Sequence, residues 1–99
     1  MEEIRVENAR EFFEKVFAEL VCLCNLKTLV VAERGVVKLP AKYGGRPIGD
    51  VATELCGPCI LIDNGVVQYL AVFYKTEKPL GQVAALLREV WKTVSRGRL

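Results

Sequence analysis

Histidine is absent from the 99 residues, and serine and methionine occur once each. Without histidine there is no Ser–His or Cys–His nucleophile pair. No phosphate-binding loop is present: Gly44-Gly45-Arg46 lacks the spacing such loops require. Asp50, Glu54 and Asp63 read as a helix cap, a solvated acid and a turn residue rather than an acid–base set. No catalytic residue, cofactor or metal is expected, and the chain is read as a non-enzyme. Long apolar runs are missing too. The longest, Leu20–Cys24 and Tyr69–Tyr74, fall far short of the ~20 residues that span a bilayer. Met1-Glu2-Glu3 is acidic, the wrong sign for a signal peptide. A cytoplasmic protein without membrane contact is expected.

What is present is apolar and unevenly charged. Hydrophobic residues make up 52% of the chain, slightly above the usual share, which leaves apolar surface for a partner. Residues 1–19 hold six acids against three bases, and residues 20–99 hold eleven bases against six acids. A moderately basic body permits nucleic-acid contact without requiring it. Five asparagines plus glutamines in all, with abundant Val, Glu, Lys and Arg, match the thermophile pattern. Four cysteines in a chain of this kind fit an intracellular hyperthermophile, archaeal protein, where disulfides are common.

The chain reads as one domain over 1–99. Asn8, with Glu11 three residues on, forms a capping-box pair. Phe13, Val16, Phe17, Leu20 and Cys24 follow as one helical stripe, ended by Asn25. Leu26–Glu33 and Val36–Leu39 form a hairpin around Arg34-Gly35, closed by Pro40. Asp50 caps a short helical turn through Leu55. Cys59–Asp63 and Val66–Lys75 form a second hairpin around Asn64-Gly65, the dipeptide of type I′ turns. Pro79 suits the first position of a last helix. Its stripe is Leu80, Val83, Ala84, Leu87, Trp91 and Val94, and it ends near Ser95. The expected fold is α+β, in the order α-β-β-(short α)-β-β-α: a four-stranded antiparallel sheet from two hairpins, with two long helices on one face.

Four strands make a sheet roughly 20 Å wide, and two helices of about 10 Å cover one side of it. The other side is expected to stay open. Yet Val67, Tyr69, Ala71 and Phe73 oppose Val66, Leu70, Val72 and Tyr74, apolar on both sides, which normally means burial on both. An open apolar face is a candidate interaction site. It packs against a second copy as a homodimer, or it stacks bases of single-stranded nucleic acid. For nucleic acid, Tyr69, Phe73 or Tyr74 would stack bases. Lys38, Lys42, Arg46 and Lys75 would meet phosphates, with Tyr43 among them. Arg88, Lys92 and Arg96 on the last helix are explained by its dipole.

Cys22-Leu23-Cys24 and Cys56-Gly57-Pro58-Cys59 allow three readings. On a helix, Cys22 and Cys24 lie about 200° apart and do not converge on a zinc ion. Cys56–Cys59 spells the redox tetrapeptide of thioredoxin-like proteins, but it precedes a strand rather than opening a long helix. The favoured reading is two structural disulfides joining the pairs. Each closes a loop of about 35 residues, worth roughly 4 kcal/mol.

Leu29–Val37, with Tyr69–Tyr74 followed by Leu80-Gly81-Gln82-Val83, resembles the first hairpin, last strand and helix start of roadblock domains, small dimerising scaffolds of GTPase regulation. In overall layout and composition the chain is also similar to the ThermoDBP type of single-stranded DNA-binding domain from Thermoproteales. That resemblance implies a nucleic-acid-binding module; the alternative is a homodimeric scaffold.

Overall fold

Asn8 caps the first helix. Its side-chain oxygen accepts the Glu11 backbone N–H at 3.0 Å, as in a capping box, while the return contact to the Glu11 carboxylate comes from the Asn8 side-chain amide, at 3.3 Å. Helix α1 (Ala9–Phe12) continues as a π-helical turn over Phe13–Phe17. The computed structural model describes residues 2–17, 25–74 and 79–96. Helix α2 (Ile48–Leu55) sits between the hairpins, and helix α3 (Leu80–Arg96) follows Pro79. Asp50 lies in the first turn of α2 rather than at its cap, which is Pro47.

The strands are β1 (Glu2–Arg5), β2 (Leu26–Glu33), β3 (Val36–Leu39), β4 (Cys59–Asp63) and β5 (Val67–Phe73). They form one sheet in the order β1-β4-β5-β2-β3. The expected four-stranded antiparallel sheet with two long helices is therefore wrong. A fifth strand, β1, joins in parallel beside β4, with Ile4 opposite Ile62. A third helix, α2, packs on the face expected to be open. β1 is short and acidic, and only Ile4 within it is buried, so its residues carry little strand signal.

The two hairpins turn differently. Arg34 and Gly35 both take positive φ, 50° and 79°, as a two-residue type I′ turn demands. At Asn64-Gly65 only the glycine does, with φ 93°. There the Asn64 side chain accepts the backbone N–H groups of Val66 and Val67 at 2.8 and 2.7 Å, an Asx-type closure that makes the connection longer.

Two separate cores result. On one face, Ile4, Ile60, Ile62, Ala71 and Phe73 pack beneath Phe12, Val16 and Phe17 of the first helical segment and Ala84 and Leu87 of α3. Trp91 meets Phe12 edge-on at 5.4 Å. On the other face, Val30, Ala32, Val37, Leu70 and Val72 pack beneath Val51 of α2, with Ile48, Ala52 and Leu55 around it. β5 lies in the middle and is buried on both sides.

Both edge strands have outer backbone groups engaged. Beyond β3, the Val37 N–H donates to Arg46 O at 2.9 Å and Val37 O accepts the Gly45 N–H at 2.8 Å. Beyond β1, the Arg88 guanidinium donates to Glu3 O at 2.7 Å. The last helix thus uses one of its expected free cations to engage an edge strand.

Gln68 ties the two hairpin tips together. It is 7% exposed, accepts the Gly35 N–H at 3.0 Å and donates to Asp63 at 3.0 Å. Replacing it by leucine leaves the part-buried Gly35 N–H without this acceptor and takes one hydrogen bond from Asp63, which costs about 1–3 kcal/mol. Urea unfolding of Gln68→Leu should show that loss, whereas an unchanged midpoint would show the tips hold without it.

Candidate functional site

The residues expected to bind nucleic acid do not share one surface. Phe73 is 2% exposed and belongs to the core under α1 and α3. Tyr69 lies on that same face, where Phe13 stacks on it with ring centroids 4.7 Å apart and planes 10° from parallel. Tyr74 is 51% exposed, and the Lys27 ammonium stands 5.9 Å from its ring. Lys42, Tyr43 and Arg46 do come together: the half-buried Tyr43 ring has the Lys42 ammonium at 5.1 Å and the Arg46 guanidinium at 6.0 Å. Arg46 is also paired with Glu54 at 3.0 Å. Lys38 is exposed in β3, in the sheet's end hairpin, and Lys75 lies outside the described residues. An open aromatic sheet surface is missing because the first helical segment covers the very rings that would form it. Nothing here is a positive sign of nucleic-acid binding, and that reading is withdrawn.

The disulfide reading is corrected as well. Cys56 and Cys59 are free thiols; Cys22 and Cys24 lie outside the described residues. Cys56 ends α2 in the left-handed conformation, with φ 47°, and its side chain is exposed. Cys59 begins β4 and points into the core under α2. The turn between them runs close against β5. The Phe73 N–H donates to Pro58 O at 2.8 Å, and a Cβ on Gly57 would stand 2.9 Å from the Phe73 carbonyl oxygen. The two thiols are not joined, and the tetrapeptide ends a helix and opens a strand instead of starting a long helix. Burial pushes the Cys59 thiol above its ordinary pKa, which keeps it protonated and unreactive. The compositional sign of an archaeal source rested partly on those disulfides, and no feature of the fold replaces it.

A shallow depression of about 240 Å³ lies at the paired ends of β1 and β4, lined by Arg5, Val6, Glu7, Asp63 and Asn64. Its polar groups satisfy one another. Asp63 accepts the Gly65 N–H at 2.7 Å and the Gln68 amide at 3.0 Å, with the Arg5 guanidinium at 3.6 Å. Burial raises the Asp63 pKa, but those two hydrogen bonds and the Arg5 charge outweigh it and hold the carboxyl below its ordinary value.

The feature that stands out is how the helices are placed. α1 and α3 cover β1, β4 and the near part of β5 on one face, and α2 covers β5, β2 and β3 on the other. Among the described residues each face therefore has an uncovered half, and the two halves differ in kind. Beside α2, the half toward β1 carries the charged Glu3, Arg5 and Asp63, with Leu61 of β4 at its border with the α2 core. Beside α1, it carries Val31, Val36, Leu39 and Val67, brought to one face by the pairings Val31–Leu39, Glu33–Val36 and Glu33–Val67. Leu39 is 57% and Val36 38% exposed. None of these four belongs to either core among the described residues. The stacked Phe13 and Tyr69 form its inner border. The strand alternation of these residues was visible in the sequence; that no helix among the described residues lies above them was not.

Comparison of the chain with family models, with curated proteins and with solved structures finds no match.

Two outcomes test these placements. In the native protein a thiol-alkylating reagent should modify Cys56 promptly and reach Cys59 only after unfolding; equal labelling of both would contradict the inward placement of Cys59. Asp63, with its folded pKa depressed, contributes stability above the unfolded value near 3.8, and this is lost as pH falls through the lower folded pKa. Unfolding midpoints of wild type and Asp63→Asn should therefore differ at pH 7 and converge under strong acid. A constant difference would remove the carboxylate from the account.

Proposed function

We propose that this chain is a non-catalytic interaction module that works as a homodimer, two copies meeting through the uncovered apolar half of the sheet. The observation that carries it is the contrast between the two uncovered halves. A chain that places Glu3, Arg5 and Asp63 on one of them keeps Val31, Val36, Leu39 and Val67 on the other. Contiguous apolar surface rimmed by polar groups marks a contact site. The engaged edge strands favour contact through the face rather than through added strands.

Burying a whole Leu or Val side chain is worth about 1.5–3 kcal/mol, so covering the exposed part of Leu39 yields roughly half of that in each copy. A two-fold contact counts every such residue twice.

Light scattering across a concentration series should give twice the 11.0 kDa chain mass. Leu39→Asp should weaken the dimer roughly a hundredfold, since two partly buried leucines are lost at once, without lowering monomer stability. A wild-type monomer at millimolar concentration would overturn the reading.

A further inference from the structure

Three side chains of the end hairpin set the register of such a dimer. Glu33 lies on the apolar half itself, paired across the sheet with Val36 and Val67. Arg34 stands at the turn, and Lys38 precedes Leu39 at the other end of β3. All three are exposed, and none of the ion pairs among the described residues uses them. Elsewhere in the fold the charges near packed surfaces are matched: Arg46 with Glu54, Arg5 with Asp63, and Lys15 with Glu11. An acid within an apolar patch and a base at its far end, both unmatched, are self-complementary under a two-fold rotation.

We infer that the occupant of the patch is a second copy laid antiparallel, hairpin over hairpin, so that Glu33 of each copy meets the partner's Lys38. The geometry follows from where the residues lie along the hairpin. Val36 and Glu33 mark the turn end of the patch, whereas Leu39 and Val31 mark the other. An antiparallel two-fold places the turn end of one copy over the far end of the other. Val36 then packs on the partner's Leu39, and Glu33 comes beside the partner's Lys38, twice per dimer. A parallel stacking would set Glu33 on the partner's Glu33, and like charges brought together across an interface oppose association. The bulge in β3 between its pairings to Val31 and Ala32 takes Lys38 out of strict alternation, which frees it to serve the rim.

The inference rests on the homodimer reading, and charge exchange separates the two. Glu33→Lys and Lys38→Glu should each weaken dimerisation at least tenfold in sedimentation or light scattering. Their unfolding midpoints at low concentration should stay at the monomer value, because neither side chain has an internal partner. Mixing the two variants should restore dimers, seen by native mass spectrometry as the mixed species, because only there do both contacts join opposite charges. The double variant E33K/K38E should dimerise as wild type does, within about threefold. If wild type dimerises while the singles match it, or the mixture and the double variant fail to recover, the register is wrong and the dimer stands. A wild-type monomer would overturn both.

Discussion

Three helices cannot cover both faces of a five-stranded sheet, and the rest of the structure follows from how that shortfall is distributed. Each helix is about 10 Å across, whereas five strands at about 4.8 Å spacing make a sheet roughly 24 Å wide, so the helices on neither face reach across it. The chain instead sets its helices off-centre, α1 and α3 over one half and α2 over the other half of the opposite face. β5 sits where both layers overlap, which is why Leu70, Ala71 and Val72 are buried to 1% or less. A strand apolar on both faces is thereby satisfied without a second full layer.

The offset makes the edges and the uncovered halves the sensitive parts. An open strand edge is a template for pairing with another chain. Here the segment after β3 folds back so that Gly45 and Arg46 take up both polar groups of Val37, and Arg88 of α3 reaches Glu3. With both edges engaged, the remaining route to association is face contact. Gln68 and Asp63 serve the same economy at the hairpin tips. One buried amide joins the β2–β3 turn to the β4–β5 turn, so the two hairpins hold one mutual orientation and the apolar half keeps its shape.

Local features were legible and long-range ones were not. The Asn8–Glu11 cap, the Arg34-Gly35 turn, the Pro79 start and the stripe of α3 are written in neighbouring residues, where capping and turn chemistry act. β1 escaped notice because its partner β4 lies far along the chain and a parallel pair leaves no turn to announce it. The place of α2 was hidden for a related reason. Its short helical pattern could be read, but which sheet face it covers depends on the path of the chain from Leu39 to Ile48. The same gap explains the aromatic residues. Tyr69 and Phe73 share a strand face in the sequence, and nothing local says that Phe13 and Phe17 lie above it. The disulfide reading joined the distant pairs Cys22/Cys24 and Cys56/Cys59 on the gain from loop closure, a long-range contact that no local pattern reports, and Cys56 and Cys59 are free. Cys56 and Cys59 are three residues apart, yet a left-handed helix end and the start of a strand point their thiols in different directions.

The two uncovered halves argue against a neutral explanation of the apolar one. If sparse coverage were the whole cause, both halves would show the same mixture, since both adjoin one helix and end at a sheet edge. Instead the half beside α2 has acquired paired charges, Arg5 with Asp63 and Glu3, on the alternate positions of β1 and β4. The half beside α1 keeps branched aliphatics on the alternate positions of β2, β3 and β5. Those are the same strands whose opposite sides fill the α2 core, so a strand propensity for valine explains part of the composition. It does not explain Leu39, which sits at the end of β3, outside both cores and more than half exposed. More than half of that leucine gains nothing within one copy. That part gains if something covers it, and the unmatched Glu33 and Lys38 on either side give that cover a charge pattern that a second copy of the same hairpin fits.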